Sequence, residues 1–504
     1  MKPKYYITTP IYYVNDAPHI GHTYTEIAAD ALARWKRLQG YEVRFLTGTD
    51  EHGMKIASSA AAMGREPQEH VDINCGKFVE AWEKMGISYD DFIRTTQERH
   101  KKTIQEVFSK LHDKGDIYKG TYEGWYCRPC EAYWTEFQLQ DKKVCPDCGR
   151  PVEKIEEEAY FFALSRYQDR LLSHINSHPD FIRPSSRRNE VVNFIQSGLK
   201  DLNVSRTKFS WGIQVPFDPG HVIYVWFDAL INYISAIGYP QDTENFAKWW
   251  PADVHLMGKE IVRFHAVIWP AILMALDLPL PGIVFGHGWW TVEGQKMSKS
   301  IGNVVDPMEL VEEFGLDTVR YFLMREVPFG SDGDFSRRAL ISRYNSDLAN
   351  DLGNLLSRTL TMIEKYFGGS VPRAQKFTAS SPDAVFSELI IDTPKHYSQA
   401  MDDILPSEAL SCVWGLISFA NSYIEQKAPW SLAKQGKTEE LATVMANLFE
   451  ALRIVSVLIE PFMPATSAQM RLQMGPGSGT EGCKAQDGEI KVQKGAPLFP
   501  RLAK

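Results

Sequence analysis

The 504-residue sequence lacks several features that would place it in other protein classes. It has no apolar run near the roughly 20 residues that a membrane-spanning helix needs. Lys2 and Lys4 precede an early apolar stretch, but Pro10, Asn15 and Asp16 interrupt it, so no signal-peptide core is predicted. The formal net charge of -8 argues against a protein that coats nucleic acid non-specifically, although it allows a local basic surface. We therefore expect a cytoplasmic protein with no membrane partner.

Cysteine is scarce as well, and its spacing is informative. Four of the seven cysteines form two Cys-x-x-Cys pairs, Cys127 with Cys130 and Cys145 with Cys148. In a cytosolic chain, paired spacing of this kind favours a metal site over a disulfide framework. Four thiolates close the coordination sphere of a tetrahedral Zn²⁺. We therefore expect one structural zinc ion per chain, with no open position for catalysis.

Apolar segments and turn residues alternate in the first part of the chain. Residues 4–9 and 42–47 have the pattern of buried strands, and residues 23–38 have that of the helix between them. This order predicts an α/β fold with a doubly wound, Rossmann-like parallel sheet, whose ligands bind at the carboxyl ends of the strands. The sheet is expected to resume at residues 221–226 and to continue through 228–233, then at 253–257 and 282–286, with a helix over 258–275.

Two short stretches carry the strongest chemical signal. His19 and His22 flank Gly21 where the first helix begins, and a helix N-terminus suits a phosphate group. Lys296 and Lys299 stand on a serine-rich loop that can close over a polyphosphate. Taken alone, each pair also fits a chance surface pair or a solvated loop. Together and in this order, they resemble the HIGH and KMSKS signatures of the class I aminoacyl-tRNA synthetases.

The resemblance is closest to the methionyl-tRNA synthetases and extends over essentially the whole chain. It rests on the four-cysteine insertion, on His287 with Gly288, and on residues 12–22, 49–53, 224–229 and 258–260. The isoleucine, valine and leucine enzymes of the class carry a much larger editing domain where this chain has its insertion. The resemblance implies ATP-dependent ligation of L-methionine to methionine tRNAs through a methionyl-adenylate, with Mg²⁺ accompanying ATP, for translation initiation and elongation.

The resemblance also implies roles for individual residues. The groups that stabilise phosphate charge would be His19, His22, Lys296 and Lys299. ATP would also contact Gly21, Gly258 and Glu260, with Glu260 on the ribose. Asp50 would bind the ammonium of methionine. The residues around the methionine side chain would be Ile11, Tyr13, Trp226, Ala229, Tyr233 and His287. Two assignments have an ordinary alternative, because Asp50 also fits a helix cap and Glu260 a first-turn glutamate favoured by the helix dipole.

From about residue 345 the apolar period becomes helical, and helices near 408–426 and 438–459 complete a predicted bundle. In the resembled family this bundle reads the anticodon, and the matching positions are Asn354, Arg358 and Trp430. Trp430 follows a proline, so it fits either ordinary packing or a platform for an unstacked RNA base. The chain lacks the C-terminal dimerising barrel of some family members, which favours a monomer.

The expected organisation is a catalytic sheet in two halves, separated by a zinc-knuckle insertion and followed by an all-α bundle. The predicted boundaries are 1–117, 118–216 and 217–300 for these catalytic parts, 301–344 for a stem-contact linker, 345–474 for the bundle and 475–504 for a flexible tail. Two rival functions remain, a cytidylyltransferase-like nucleotidyltransferase and a non-catalytic RNA-binding protein on a synthetase-like scaffold. The bundle and insertion count against the first, and the intact signature residues count against the second.

Overall fold

The computed structural model describes residues 2–15, 17–129, 132–134, 139, 143–146, 148–207, 209–296, 305–373, 382–475 and 490–502. The chain forms two compact units. The first comprises Met1–Pro18 and Lys36–His287, and the second comprises His19–Trp35 and Gly288–Lys504. The finer domain boundaries expected from the sequence remain predictions.

Six parallel strands form the central sheet of the first unit. Their order across the sheet is Asp91–Arg94, Glu42–Asp50, Lys4–Tyr13, Val254–Gly258, Ile283–His287 and Ile182–Arg183. Lys4–Tyr13 is an almost continuously buried run, as expected of a central parallel strand. Strand order reverses between Lys4–Tyr13 and Val254–Gly258, and ligands of such sheets bind at the carboxyl ends beside this switch point. The predicted Rossmann-like fold is confirmed.

The helices of the first unit differ from the expectation at two places. They span Met54–Ala62, Pro67–Lys84, Glu98–Asp113, Gln168–Ser177, Ser185–Gln196, Val225–Leu230, Asn232–Ser235, Thr243–Trp249 and Trp269–Ala275, with a 3-10 helix at Leu164–Tyr167. The expectation that the sheet continues through residues 228–233 is wrong, because they lie in the helices Val225–Leu230 and Asn232–Ser235 and the turn between them; a short apolar run fits a buried strand and a buried helix equally well. The single helix expected over residues 258–275 is instead a 3-10 turn at Lys259–Ile261, a π-helix at Phe264–Ile268 and then Trp269–Ala275. Pro270 cannot donate within a continuous helix, so the wider π turn before it relieves the conflict.

Two small antiparallel sheets complete the first unit. One contains Ala132–Trp134, Ile117–Cys127, Glu153–Phe162 and Leu202–Asn203, and the other contains Gln214–Val215, Asp218–Ile223 and Ser205–Arg206. The expectation that the parallel sheet resumes at residues 221–226 is therefore wrong, because Asp218–Ile223 pairs antiparallel in the second of these sheets. Ile182–Arg183, within the predicted insertion, joins the edge of the parallel sheet instead. A strand of two residues has no periodicity that the sequence could reveal.

The second unit joins a three-stranded sheet to a helical bundle. The strands are Trp290–Val292, Gln295–Lys296 and Gly333–Phe335. Its first helix is Ile20–Leu38, of which the part up to Trp35 belongs to this unit. The other α-helices are Pro307–Phe314, Leu316–Arg325, Arg337–Arg343, Asn354–Phe367, Pro382–Asp402, Pro406–Lys427, Pro429–Lys434, Thr438–Leu458 and Pro464–Met474, and a π-helix spans Tyr344–Gly353. Pro382–Asp402 is not predicted from the sequence, because Pro394 lies inside it.

Thr438–Leu458 is long and apolar enough to cross a membrane by length and composition alone. Its most apolar window has a mean hydropathy of 1.6, and 67% of that window is buried inside the structure. The helix packs against Pro382–Asp402 and Pro406–Lys427. Its apolar character is therefore accounted for by the core of the bundle.

Part of the predicted flexible tail is docked on the bundle. The Val492 N–H donates to the carbonyl of Gly369 at 2.9 Å, and the Tyr344 hydroxyl donates to the carbonyl of Pro500 at 2.9 Å. Residues 490–502 thus make specific hydrogen bonds that their polar, glycine-containing composition did not indicate, while the flexibility of the tail remains a prediction. The rest of the predicted tail, except Gly475 at its start, lies outside the described residues.

A buried ion pair fastens the first helix within the second unit. Arg320 donates to the Asp30 carboxylate at 2.5 Å, and both side chains are fully buried. The same guanidinium donates to the carbonyls of Phe462 at 2.9 Å and Pro461 at 3.0 Å. Asp30 also accepts from Arg34 at 2.7 Å. Arg320 thus connects the helix that carries His22 to the end of the bundle.

We expect Arg320→Met to lower the free energy of unfolding of the second unit by about 3–5 kcal/mol, because it removes the fully buried guanidinium from the Asp30 carboxylate, which keeps its bond to Arg34, and from the two carbonyls. Urea denaturation followed by far-UV circular dichroism measures the change. Arg337→Met is the matched control, since Arg337 pairs with Glu313 at the surface. The control is expected to cost about 1 kcal/mol or less. Equal losses in the two variants would contradict this account.

Candidate active site

Four of the predicted methionine and ATP residues end neighbouring strands of the first unit, namely Tyr13, Asp50, Gly258 and His287. Tyr13 is in register with Asp50 across Lys4–Tyr13 and Glu42–Asp50, and Ile11 lies two residues earlier opposite Gly48. On the other side of the switch point, Gly258 is in register with His287. Asp50 and His287 are each 4% exposed. The fold therefore brings these residues to the carboxyl end of the parallel strands, where ligands of this architecture bind.

The turn after Asp50 is rigid because its glutamate is fully hydrogen-bonded. The buried Glu51 carboxylate accepts from Arg94 Nε at 2.6 Å, from Thr49 at 2.7 Å and from Thr96. The following helix, Met54–Ala62, has Gly53 as its N-cap and no side-chain cap. Asp50 is therefore not a helix cap, and that alternative is wrong.

Tyr233 meets a histidine that the sequence did not single out. Its hydroxyl lies 2.7 Å from His265 Nε2, and His265 Nδ1 lies 2.9 Å from the carbonyl of Ile261. A carbonyl only accepts, so Nδ1 carries the proton and Tyr233 donates to Nε2. Burial lowers the pKa of His265 to about 4, which keeps the ring neutral near pH 7. His265 follows Glu260 by five residues, and only the tertiary contact distinguishes it from a core histidine.

Trp226 and Ala229 lie on the short helix Val225–Leu230. The Trp226 ring stacks on Phe264 with centroids 3.8 Å apart and planes inclined by 11°. Trp226 is half-buried, and Ala229 is buried. Phe264 was not predicted, because an aromatic residue in an apolar helical segment carries no functional signal in the sequence.

Glu260 occupies the space that glycine leaves open at position 258. A Cβ on Gly258 would lie 2.5 Å from the Glu260 Oε2 atom, closer than non-bonded atoms approach. The absence of that Cβ lets the carboxylate fold back over the end of Val254–Gly258. Glu260 is exposed and lies in the first turn of Lys259–Ile261. The structure is compatible with both readings of this residue.

His19 and His22 form a stacked pair at the start of Ile20–Leu38 in the second unit. Their ring centroids are 3.8 Å apart. The His19 N–H donates to His22 Nδ1 at 3.2 Å, and the Gly21 N–H donates to His19 Nδ1 at 3.1 Å. Backbone amides only donate, so both neutral rings carry their proton on Nε2. Burial, and then the neighbouring His19, lowers the pKa of His22 well below its ordinary value.

Gly21 serves His19 in this arrangement. A Cβ at position 21 would lie 2.9 Å from His19 Cε1. The missing Cβ leaves room for the His19 ring. Any larger residue would therefore displace the first histidine.

The start of the lysine loop lies in the same unit as the histidine pair. Tyr24 packs edge-on against Trp290 at 5.6 Å, and Thr291 is in register with Lys296 in the neighbouring strand. Lys296 closes the strand Gln295–Lys296. Its side chain and the whole of Lys299 lie outside the described residues.

Three of the four predicted metal ligands come together in the first unit. The sulfur atoms of Cys127, Cys145 and Cys148 all lie within 4.8 Å of one another, and Cys127 Sγ is 3.5 Å from Cys148 Sγ. That separation is far longer than a disulfide bond of about 2.05 Å and close to the roughly 3.8 Å edge of a tetrahedral zinc–thiolate site. Cys130 lies outside the described residues. The thiol cluster can bind a metal ion.

The three predicted anticodon residues lie on the surface of the bundle. Asn354 is exposed at the start of Asn354–Phe367, and Arg358 is one turn further along. Arg358 donates to Glu425 at 2.6 Å, which ties its helix to Pro406–Lys427. Trp430 is 40% exposed. Packing therefore covers only part of its ring.

Comparisons with protein families match almost the whole chain. The family described as "tRNA synthetases class I (M)" matches residues 5–360. The family described as "Anticodon binding domain of methionyl tRNA ligase" matches residues 371–493. The boundary between the two matches lies within the predicted bundle, so Asn354 and Arg358 fall in the first match and Trp430 in the second.

Individual relatives and structures agree with these families. The chain is 57% identical to the "Methionine--tRNA ligase" of Caldanaerobacter subterraneus, covering 100% of this chain and 79% of that protein, and 56% identical to that of Clostridium perfringens, covering 99% and 78%. The structure resembles Mycobacterium tuberculosis methionyl-tRNA synthetase in complex with methionyl-adenylate, with a TM-score of 0.94, 43% identity and coverage of 99% and 100%. For the free state of that enzyme the TM-score is 0.88 at 40% identity, covering 100% of this chain and 99% of that one. This chain belongs to the methionyl family of class I tRNA synthetases.

Proposed function

We propose that the chain joins L-methionine to its cognate tRNA in an ATP-dependent reaction that passes through methionyl-adenylate. One observation carries the proposal: in a member of this family, Tyr13 and Asp50 on one side of the switch point, and Gly258 and His287 on the other, stand at the carboxyl ends of their strands. The reaction releases pyrophosphate in its first step and AMP in its second. Its role is to supply methionyl-tRNA for translation.

Methionine is held at both of its ends in this proposal. The Asp50 carboxylate at the strand end binds the ammonium, next to Tyr13. The side chain enters a pocket formed by the aromatic and small residues Ile11, Tyr13, Trp226, Ala229, Tyr233 and His287. Aromatic walls suit a polarizable thioether, which gains from sulfur–aromatic contacts. We add Phe264 and His265 to this pocket, because they contact Trp226 and Tyr233 directly.

Activation requires positioning and charge stabilisation rather than a general base. The methionine carboxylate is already ionised and attacks the α-phosphorus of ATP in line, while pyrophosphate leaves. His19 and His22 present Nε2–H donors to phosphate oxygens, and Lys296 and Lys299 supply positive charge. Glu260 holds the ribose beside Gly258. Mg²⁺ enters with ATP and neutralises part of the phosphate charge.

The thiol cluster fits one structural Zn²⁺. We assign Cys127, Cys130, Cys145 and Cys148 as its ligands, because four thiolates leave no open coordination position. Cys145 and Cys148 stand on a tight turn in which the Gly149 N–H donates to the Cys145 carbonyl at 2.8 Å. The metal would therefore hold the inserted segment in shape and take no part in the chemistry.

The bundle supplies the RNA half of the function. Asn354, Arg358 and Trp430 are proposed to contact the anticodon of methionine tRNAs, with the half-exposed Trp430 ring as a stacking surface. We further propose that the enzyme is cytoplasmic, has no membrane partner and is a monomer. Sedimentation of the purified chain at several concentrations would test the last point.

Amino-acid-dependent exchange of labelled pyrophosphate into ATP tests the activation step. We expect purified protein with Mg²⁺ to catalyse this exchange with methionine and with none of the other nineteen standard amino acids. Exchange with a different amino acid would keep the reaction and overturn the substrate. Folded protein without any exchange would favour a non-catalytic scaffold.

In the same assay, we expect His22→Asn to lower kcat about 100-fold, because loss of one donor to the developing phosphate charge typically costs 10²–10³. His22→Gln is the matched variant, since its amide nitrogen reaches the position of Nε2. It should retain at least about tenfold more activity than His22→Asn. KM for methionine should stay within about twofold in both variants, as the residue acts on the phosphates. Equal kcat values for the two variants would contradict the donor role.

We expect Cys148→Ser to reduce bound zinc from about one ion per chain to a small fraction, because it removes a thiolate ligand. Metal content is measured by mass spectrometry of dialysed protein, and exchange activity is measured on the same sample. Cys412→Ser, at a helix cysteine outside the cluster, is the control and should keep its zinc. Full zinc occupancy in Cys148→Ser would refute the ligand assignment.

We expect Trp430→Ala to lower kcat/KM for tRNA roughly 10-fold to 100-fold, because stacking on one base contributes about 1–3 kcal/mol. Aminoacylation with varied tRNA concentration measures the effect. Pyrophosphate exchange, which needs no tRNA, should be unchanged. Trp430→Phe keeps a flat ring and should recover part of the loss. If Trp430→Ala aminoacylates normally, this tryptophan does not contact the anticodon.

A further inference from the structure

A buried group of four polar side chains lies within the first unit, and no role has yet been given to it. We call it the Asp228 cluster, and it consists of His52, His100, Asp228 and Ser235. Asp228 accepts from His52 Nδ1 at 2.7 Å through one carboxylate oxygen and from His100 Nε2 at 2.7 Å through the other. His100 Nδ1 lies 2.8 Å from the Ser235 hydroxyl. All four side chains are buried.

The centre of the cluster is an ionised carboxylate. Burial alone would raise the pKa of Asp228, but His52 and His100 together hold that pKa below its usual range. A buried carboxylate persists only where its hydrogen bonds are satisfied, so both ring donors are required. Charge-assisted hydrogen bonds of this length are also strongly directional. The cluster is therefore a rigid connection rather than a loose contact.

The cluster joins the two walls of the proposed methionine pocket. His52 follows Asp50 by two residues, in the turn that Glu51 anchors to Arg94. Asp228 lies between Trp226 and Ala229 on Val225–Leu230. The hydrogen bond between His52 and Asp228 thus connects the turn after Asp50 to the helix that carries Trp226.

The far end of the cluster reaches a third pocket element. Ser235 lies two residues after Tyr233 on Asn232–Ser235. Tyr233 is itself held by the Tyr6 hydroxyl, which donates to its carbonyl at 2.8 Å. His100, from Glu98–Asp113, therefore stands between the segment that carries Trp226 and the segment that carries Tyr233.

We propose that the Asp228 cluster sets the distance between Asp50 and the Trp226 wall, and that it thereby determines the affinity for methionine; this rests on the proposed function. Methionine is short and must meet the ammonium site and the thioether site at once. Displacement of one wall by about 1 Å would leave one of the two contacts unmade. The hydrogen bonds of the cluster connect the turn after Asp50 with Val225–Leu230 and Asn232–Ser235, whereas the proposed ribose ligand Glu260 stands on a different element, Lys259–Ile261. Loosening the cluster should therefore affect methionine far more than ATP.

Two substitutions of His52 distinguish the effect of its hydrogen bond to Asp228 from the effect of its side-chain volume. His52→Leu fills similar space but cannot donate to Asp228, whereas the amide nitrogen of His52→Asn reaches the position of Nδ1. We expect His52→Leu to raise KM for methionine at least about tenfold, as a displaced binding group does. KM for ATP and kcat should change less than about threefold in the same exchange assay. His52→Asn should recover most of the methionine affinity.

Two further variants control for an unspecific effect of losing a histidine and for failure of His52→Leu to fold. His174→Leu, on Gln168–Ser177 outside the cluster, should leave both KM values unchanged. If His52→Leu does not fold, Ser235→Ala removes the outermost hydrogen bond of the cluster and should raise KM for methionine roughly threefold. Equal effects on methionine and ATP, or no recovery in His52→Asn, would overturn the proposal.

Hydrogen–deuterium exchange supplies a readout that needs no substrate. His52→Leu should increase amide exchange in residues 48–53 and in residues 225–230 together, and His52→Asn should not. Unchanged protection in either segment would overturn the proposed connection. A wild-type protein that shows no methionine-dependent pyrophosphate exchange would contradict the proposed function instead, so the two failures can be told apart.

Discussion

The register of one central strand organises the first unit. Lys4–Tyr13 pairs in parallel with Glu42–Asp50 on one side and with Val254–Gly258 on the other. More than 200 residues of sequence separate Lys4–Tyr13 from Val254–Gly258. The Asp253 carboxylate accepts from the Tyr6 N–H at 2.6 Å, and the Asp253 N–H donates back to the Tyr6 carbonyl at 2.8 Å. A slip of one residue would turn every side chain to the opposite face. The positions of Tyr13, Asp50 and Gly258 at the carboxyl ends of their strands depend on this pairing.

Backbone groups decide the chemistry of the histidines in both units. His265 has its proton on Nδ1 because the carbonyl of Ile261 accepts it, so Tyr233 must donate to the other nitrogen. His19 and His22 have theirs on Nε2, because backbone N–H groups occupy Nδ1. The same side chain is thus an acceptor beside Tyr233, in the proposed amino-acid pocket, and has an N–H to donate in His19 and His22, the proposed phosphate ligands. Burial reinforces this division for His22 and His265, since it lowers the pKa of both rings and so favours their neutral form.

Much of the fold and part of the candidate site could be predicted from local patterns. The strands around Ile7 and Phe45, the helix after His22 and the two Cys-x-x-Cys pairs all have signals within a few residues. Other features had none. Ile182–Arg183 is too short to show a period, and the partner of Asp218–Ile223 cannot be read from its alternation. His265 and Phe264 lie in an apolar segment whose helical register changes at a proline, so their contacts with Tyr233 and Trp226 could not be foreseen.

By itself, the sequence determined the class of protein, the order of its elements and the residue types available for chemistry, because these follow from composition, periodicity and short motifs. Only the tertiary structure decided which of those residues meet. It brought His52 and His100 onto opposite oxygens of Asp228. The physical reason is that hydrogen bonds and packing act at a few ångströms, whereas these partners stand 176 and 128 positions apart in the sequence. No local pattern in a single chain records those distances.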